Sequence, residues 1–166
     1  MSVLVWGPSG CGKTEVGRRL AQLMDVAFVD ADSLHSPANL VKMARGNALD
    51  DADRAPWLGR VVAQLTDWRA TGLRGVIACS ALKLDYRDML RAADPALAAV
   101  YLRITPAIAR ERVKSRNGHF MPVALIQSQF ETLQPPTLDE PCLIIDSTGG
   151  VEEDAHLIHE AICQQH

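Results

Sequence analysis

The sequence predicts an α/β fold, an open and mostly parallel sheet with helices on both faces, and three observations carry that prediction. Short apolar runs alternate with helix-period segments along the whole chain. Each run is nearly continuous in apolar residues, as strands covered on both faces are, rather than alternating. The size also suits one such domain over residues 1–166, because 166 residues with 48 % hydrophobic and 22 % charged side chains can bury a core without metal or disulfide staples.

The elements follow in order. Strands are expected at Val3–Trp6, 26–29, Gly75–Cys79, 98–102 and 142–145. Val16, Leu20 and Leu23 recur at helical spacing after the first run. Trp57, Leu58, Val61, Val62, Leu65 and Trp68 form a wide apolar stripe before the third, which places Trp57 and Trp68 in the core. Asp51 or Asp53 is the expected cap of that helix, with Pro56 in its first turn. A last helix is expected over about 151–163, with Glu152, Glu153 and Asp154 at its positive end. Residues 33–53 and 116–136 fit this alternation less well and read as insertions at strand ends, where such folds keep lids and pockets.

Composition excludes several classes. No run reaches the roughly 18 apolar residues a membrane helix needs. The N-terminus lacks the basic start and apolar stretch of a signal peptide, so a cytoplasmic location is expected. A net charge of −3 disfavours a nucleic-acid partner, which requires a basic face. The average hides an uneven distribution. Residues 103–116 hold Arg103, Arg110, Arg112, Lys114 and Arg116 against the single acid Glu111, a local excess of four, and the rest of the chain therefore carries −7. Such an island suits a small anionic ligand or a solvated helix face. Cys11, Cys79, Cys142 and Cys163 show no metal-binding spacing and read as reduced thiols, with Cys79 and Cys142 buried.

One motif carries chemistry. Gly7-Pro8-Ser9-Gly10-Cys11-Gly12-Lys13-Thr14 matches G-x-x-x-x-G-K-[ST] between the first strand and the first helix, the context this phosphate-binding loop requires. Its backbone N–H groups cradle phosphate oxygens, Lys13 reaches the β- and γ-phosphates of ATP, and the Thr14 hydroxyl ligates Mg²⁺. Cys11 near a helix N-terminus is expected to be a lowered-pKa thiol whose oxidation or alkylation blocks the site. After the second strand come Asp30 and Asp32, two carboxylates expected on one side of an extended segment. One can serve the metal while the other takes a proton from an acceptor hydroxyl, or Asp32 simply caps a helix near Ser33. No N-K-x-D guanine signature occurs, which favours ATP over GTP. Together these residues point to phosphoryl transfer from ATP to a small molecule.

Beyond the loop, Asp32-Ser33-Leu34-His35, Asn39-Leu40-Val41-Lys42-Met43, the stretch from Leu49 to Leu58, Cys79-Ser80-Ala81-Leu82-Lys83-Leu84-Asp85-Tyr86-Arg87-Asp88, Gly118-His119-Phe120-Met121 and Gln129-Phe130-Glu131-Thr132-Leu133-Gln134-Pro135 resemble gluconokinase, in family order over most of the chain. The resemblance implies a P-loop kinase with a five-stranded parallel sheet, helices on both faces and a mobile lid. It also implies ATP-dependent phosphorylation of D-gluconate at the 6-hydroxyl, with a homodimer as the common assembly. A kinase of the same fold for another small molecule, shikimate-kinase-like, and a nucleotide-binding regulatory module are the rival readings.

The resemblance also distributes roles, with a substrate-binding insertion over about 33–56 and a lid over about 112–123. Asp32 becomes the base and orienter of the 6-hydroxyl, with Asp30 on the metal side. Arg54 either pairs with the substrate carboxylate or forms an ion pair with Asp50, Asp51 or Asp53. Lys83 and Arg87, four apart on a helix, are expected to share a face at the sheet's carboxyl edge. His35 and His119 are candidates for bonding substrate hydroxyls. Arg116 is the first candidate to stabilise charge on the transferring phosphoryl, and Arg112 the second or a partner for the adenine.

Overall fold

The computed structural model describes residues 1–115 and 123–164. Five parallel strands form one sheet in the order β2-β3-β1-β4-β5: β1 (Val3–Trp6), β2 (Ala27–Asp30), β3 (Gly75–Cys79), β4 (Ala98–Arg103) and β5 (Leu143–Asp146). Seven helices are described: α1 (Lys13–Met24), α2 (Pro37–Ala44), α3 (Asp51–Thr71), α4 (Leu84–Ala93), α5 (Pro106–Ser115), α6 (Val123–Thr132) and α7 (Val151–Gln164).

Period-2 alternation along β1 assigns the two faces. Leu4 and Trp6 join the core built with Trp57, Val61, Leu65 and Trp68 of α3 and with Leu90 of α4. Val3 and Val5 join the opposite core with Val16 and Leu20 of α1 and Ile158 and Ile162 of α7. The central strands β1 and β3 are buried throughout, whereas the edge strands β2 and β5 are half-open, because one side of each has no neighbouring strand.

β4 ends one residue later and β5 lies one residue further on than expected, and three other differences have local reasons. Val26 donates its N–H to Ala21 O (3.0 Å) and closes α1, so β2 begins at Ala27. α3 is capped by Asp50 rather than Asp51 or Asp53. Asp50 accepts from Asp53 N–H (2.8 Å) while Asp53 accepts from Asp50 N–H (3.0 Å), a reciprocal capping box. Pro56 is the sixth residue of that helix, past the first turn, and its missing N–H removes one internal bond. Among the described residues no helix is long and apolar enough to cross a membrane.

Candidate active site

The P-loop joins the carboxyl end of β1 to α1, in the centre of the sheet. Gly10 lies at φ +85°, and a Cβ there would approach the Ala109 carbonyl oxygen of α5 to 2.9 Å. Gly12, at φ +90°, is the N-cap of α1. Only glycine takes these left-handed conformations without strain.

Lys13 is the first residue of α1 and is buried. Burial works against its ammonium charge, but the fields of Asp32 and Asp30 more than offset this and hold its pKa above the ordinary lysine value. Thr14 Oγ1 donates to Asp30 Oδ2 at 2.9 Å, so the hydroxyl and carboxylate expected to serve magnesium stand side by side. Two hard oxygens at a phosphate loop fit Mg²⁺, which takes few protein ligands and completes its octahedron with water and substrate phosphates.

Asp32 departs from the expected geometry. β2 ends at Asp30 and the chain enters a 3-10 turn over Ala31–Leu34, so the two carboxylates do not share one face of an extended segment. Asp30 caps that turn, its Oδ1 accepting from Asp32 N–H at 3.0 Å, which corrects the capping alternative from Asp32 to Asp30. The Asp32 side chain is left exposed with its field reaching Lys13. α3 pins the turn: Trp57 Nε1 donates to Ala31 O (2.7 Å) and Arg60 Nη1 to Leu34 O (2.8 Å). His35 stacks on Trp57 with centroids 4.5 Å apart, and burial in that stack pushes its pKa down, so it is neutral near pH 7. Asn39 of α2 donates to Asp53 O at 2.8 Å, and Lys42 bonds Asp53 Oδ2 at 2.5 Å, fastening α2 to the start of α3.

Arg54 and Lys83 converge on one carboxylate. Lys83 Nζ lies 2.7 and 2.8 Å from the two oxygens of Asp51, Arg54 Nη1 lies 3.8 Å from Oδ1, and the Tyr86 hydroxyl donates to the same oxygen. The bonds from Lys83 and Tyr86 hold the Asp51 carboxyl below its ordinary range. Arg54 therefore takes the ion-pair alternative with Asp51, in a place where two cations can face an anionic ligand.

Arg87 requires a correction. It does not share an open face with Lys83, because Lys83 is the N-cap of α4 and Arg87 is 1 % exposed. Its guanidinium forms a fork to Glu140 (2.6 and 2.8 Å) and donates to the carbonyls of Ala81 and Leu82. It also lies 4.1 Å over the ring of Trp6. Arg87 is thus a structural ion pair that holds the loop after β3, in which Ala81 takes the left-handed φ of +39°. Burial opposes ionisation of Glu140, yet the bonds from Arg87 and Arg91 outweigh it and keep the carboxyl below its usual value.

The Cys11 expectation is also overturned. The thiol is fully buried, and desolvation raises its pKa despite the nearby Lys13 and the helix start. Cys79 is pushed up to about 12 by burial. All four cysteines are free; Cys79 is buried as expected, while Cys142 is only half-buried.

On the far side of the loop, Arg112 Nη1 approaches Gly10 O at 3.4 Å and Nη2 donates to Ser147 O at 2.6 Å. Of the rest of the basic island, Arg103 pairs with Asp146 (2.5 and 2.7 Å) and Arg110 with Gln127 (2.8 Å). Arg116, His119 and most of the lid expected over 112–123 lie outside the described residues. Asp51, three residues before Arg54 on one helix face, was among the ion-pair partners the sequence offered for Arg54, whereas Glu140 carried no signal: it lies 53 residues from its partner Arg87 with no periodicity to link them.

The loop, buried lysine, hydroxyl–carboxylate pair and five-stranded parallel sheet define a P-loop kinase of the small-molecule type. The sequence model of the shikimate kinase family matches residues 9–140. A thermosensitive gluconokinase of Escherichia coli is 41 % identical over 143 residues, covering 86 % of this chain and 76 % of its own length. A crystal structure of a gluconokinase from Sinorhizobium meliloti is 36 % identical with a TM-score of 0.85, covering 99 % of this chain and 96 % of that one. An unliganded sugar kinase from Janibacter is 35 % identical with a TM-score of 0.91, covering 98 % and 94 %. The chain belongs to the gluconokinases, within the shikimate-kinase-like family.

Proposed function

We propose that this chain transfers the γ-phosphoryl group of ATP to the 6-hydroxyl of D-gluconate, giving 6-phosphogluconate and ADP. The observation that carries the reading is the juxtaposition of Lys13, Thr14 and Asp30 at the P-loop with the Arg54–Lys83 pair at the start of α3 and α4. A phosphate site and a carboxylate site on the same sheet edge suit a sugar acid phosphorylated at the end remote from its carboxylate.

The backbone of the loop and Lys13 bind the β- and γ-phosphates. Thr14 and Asp30 would hold Mg²⁺, and a bound Mg²⁺ would supply positive charge against the phosphate oxygens. Arg54 and Lys83 take the gluconate carboxylate in exchange for Asp51, and neutral His35 bonds a hydroxyl. Asp32 accepts the proton of the 6-hydroxyl as the new O–P bond forms and the bond to the β-phosphate oxygen breaks. Arg112 and Arg116 supply positive charge from the lid side. The substrate insertion over 33–56, the lid over 112–123 and their place in one kinase domain over 1–166 belong to the same proposal. So do a cytoplasmic location and a homodimer; light scattering of the purified protein tests the homodimer.

Product analysis tests the regiochemistry. Transfer to the primary 6-hydroxyl gives a phosphorus-31 resonance split by the two protons of one methylene. A doublet from a secondary alcohol phosphate contradicts the assignment.

A further inference from the structure

Three consecutive residues of the P-loop are each held by a side chain from the C-terminal half of the chain. Ser9 N–H donates to Gln129 Oε1 of α6 at 2.6 Å. Gly10 O accepts from Arg112 of α5 at 3.4 Å. Cys11 O accepts from Ser147 Oγ, just past β5, at 3.0 Å. Ser147 is 2 % exposed, and its single hydroxyl proton is shared between Cys11 O and Asp154 Oδ2 of α7, the latter 2.7 Å away, while its own carbonyl accepts from Arg112. The loop's internal turn bond, Cys11 N–H to Pro8 O at 3.2 Å, involves none of these side chains.

Peptide planarity makes these contacts matter for phosphate. In a trans peptide the C=O of one residue and the N–H of the next point in opposite directions. Fixing Cys11 C=O toward Ser147 therefore turns Gly12 N–H to the side away from Ser147. A glycine-rich loop has many backbone states available to it, and an unanchored one must be ordered by the ligand itself. Anchors on both sides remove that cost from nucleotide binding.

We propose that Gln129 and Ser147 are positioning residues of the phosphate site. They set the P-loop backbone for nucleotide without touching substrate, and Asp154 braces Ser147. The inference rests on nucleotide binding at the loop and not on the identity of the acceptor. Titration of the full-length enzyme with a fluorescent ADP, in the absence of gluconate, therefore separates the two. Gln129→Met keeps the side-chain length and removes the acceptor; Ser147→Ala removes the hydroxyl. Each is expected to weaken ADP binding roughly tenfold, the loss of about one well-made hydrogen bond, while the KM for gluconate stays within twofold. Leu125→Ala, a buried apolar truncation on the same α6, is expected to lower the melting temperature and leave ADP affinity unchanged. ADP affinity within twofold of the parent in folded Gln129→Met overturns the proposal, whether or not Ser147→Ala folds. So does a loss in Leu125→Ala equal to that in Gln129→Met, since general loosening of α6 then accounts for it.

Discussion

Lys13, Asp32 and Arg54 carry separable parts of the proposed chemistry, so their substitutions separate it as well. Lys13→Ala removes the buried cation that the Asp30 and Asp32 fields keep charged, and turnover is expected to vanish while circular dichroism stays native. Asp32→Asn keeps the shape but cannot accept a proton. The kcat is expected to fall by about 10²- to 10⁴-fold with little change in ATP affinity, and an unchanged kcat removes Asp32 as the base. Arg54→Ala leaves Lys83 as the one remaining cation on Asp51 and is expected to raise the gluconate KM roughly tenfold or more at constant ATP KM. The cysteines add a chemical check. A maleimide at neutral pH is expected to label exposed Cys163 and spare Cys11, whose thiol burial keeps protonated.

At the scale of elements, the Arg87–Glu140 pair joins α4 to the segment before β5 and shapes the loop that presents Lys83. Removing one partner strands a buried charge, so Glu140→Gln is expected to cost about 3–5 kcal/mol of stability. The pH dependence follows from the lowered carboxyl. Because the folded-state pKa lies below the unfolded value, the stabilisation is present above the ordinary carboxylate range and is lost as pH falls through the folded value. Melting temperatures measured on acidification are expected to drop more steeply in the parent than in Glu140→Gln.

Much at this scale was legible in the sequence. All five strands fall within one residue of the continuous apolar runs, because a parallel strand sandwiched between helices must be apolar on both faces. The P-loop was legible because its glycines and lysine are local in sequence. Illegible were contacts whose partners come together only in the fold. Neither spacing nor pattern distinguishes Arg87, turned inward to Glu140, from Lys83, turned outward to Asp51 one helical turn away. The 3-10 turn at Asp32 was missed for another reason: its cap, Asp30, lies on the preceding strand and its clamps, Trp57 and Arg60, on a helix some 25 residues further on.

Across the whole molecule the charge distribution proves more informative than its sum. The net −3 contains a basic stretch whose described members have different tasks: Arg103 bonds the edge strand β5, Arg110 bonds α6, and Arg112 reaches the P-loop. The acids Asp30 and Asp32 stand at and just past the end of β2, the edge strand on the other side of the sheet from β5. This polarity across one sheet edge, with cations for phosphate and carboxylate and acids for metal and proton, is what the sugar-acid kinase reading requires. It also predicts that nucleotide stabilises the fold, since ADP at a hundred times its Kd is expected to add about 2.7 kcal/mol. The most direct test is ADP release by the purified chain, followed with a coupled assay against sugar acids, shikimate and nucleoside monophosphates at saturating MgATP. Rapid release with D-gluconate, and background rates with shikimate and the nucleotides, is the predicted result; faster release with shikimate or a nucleotide, or none with gluconate while ATP still binds, contradicts it.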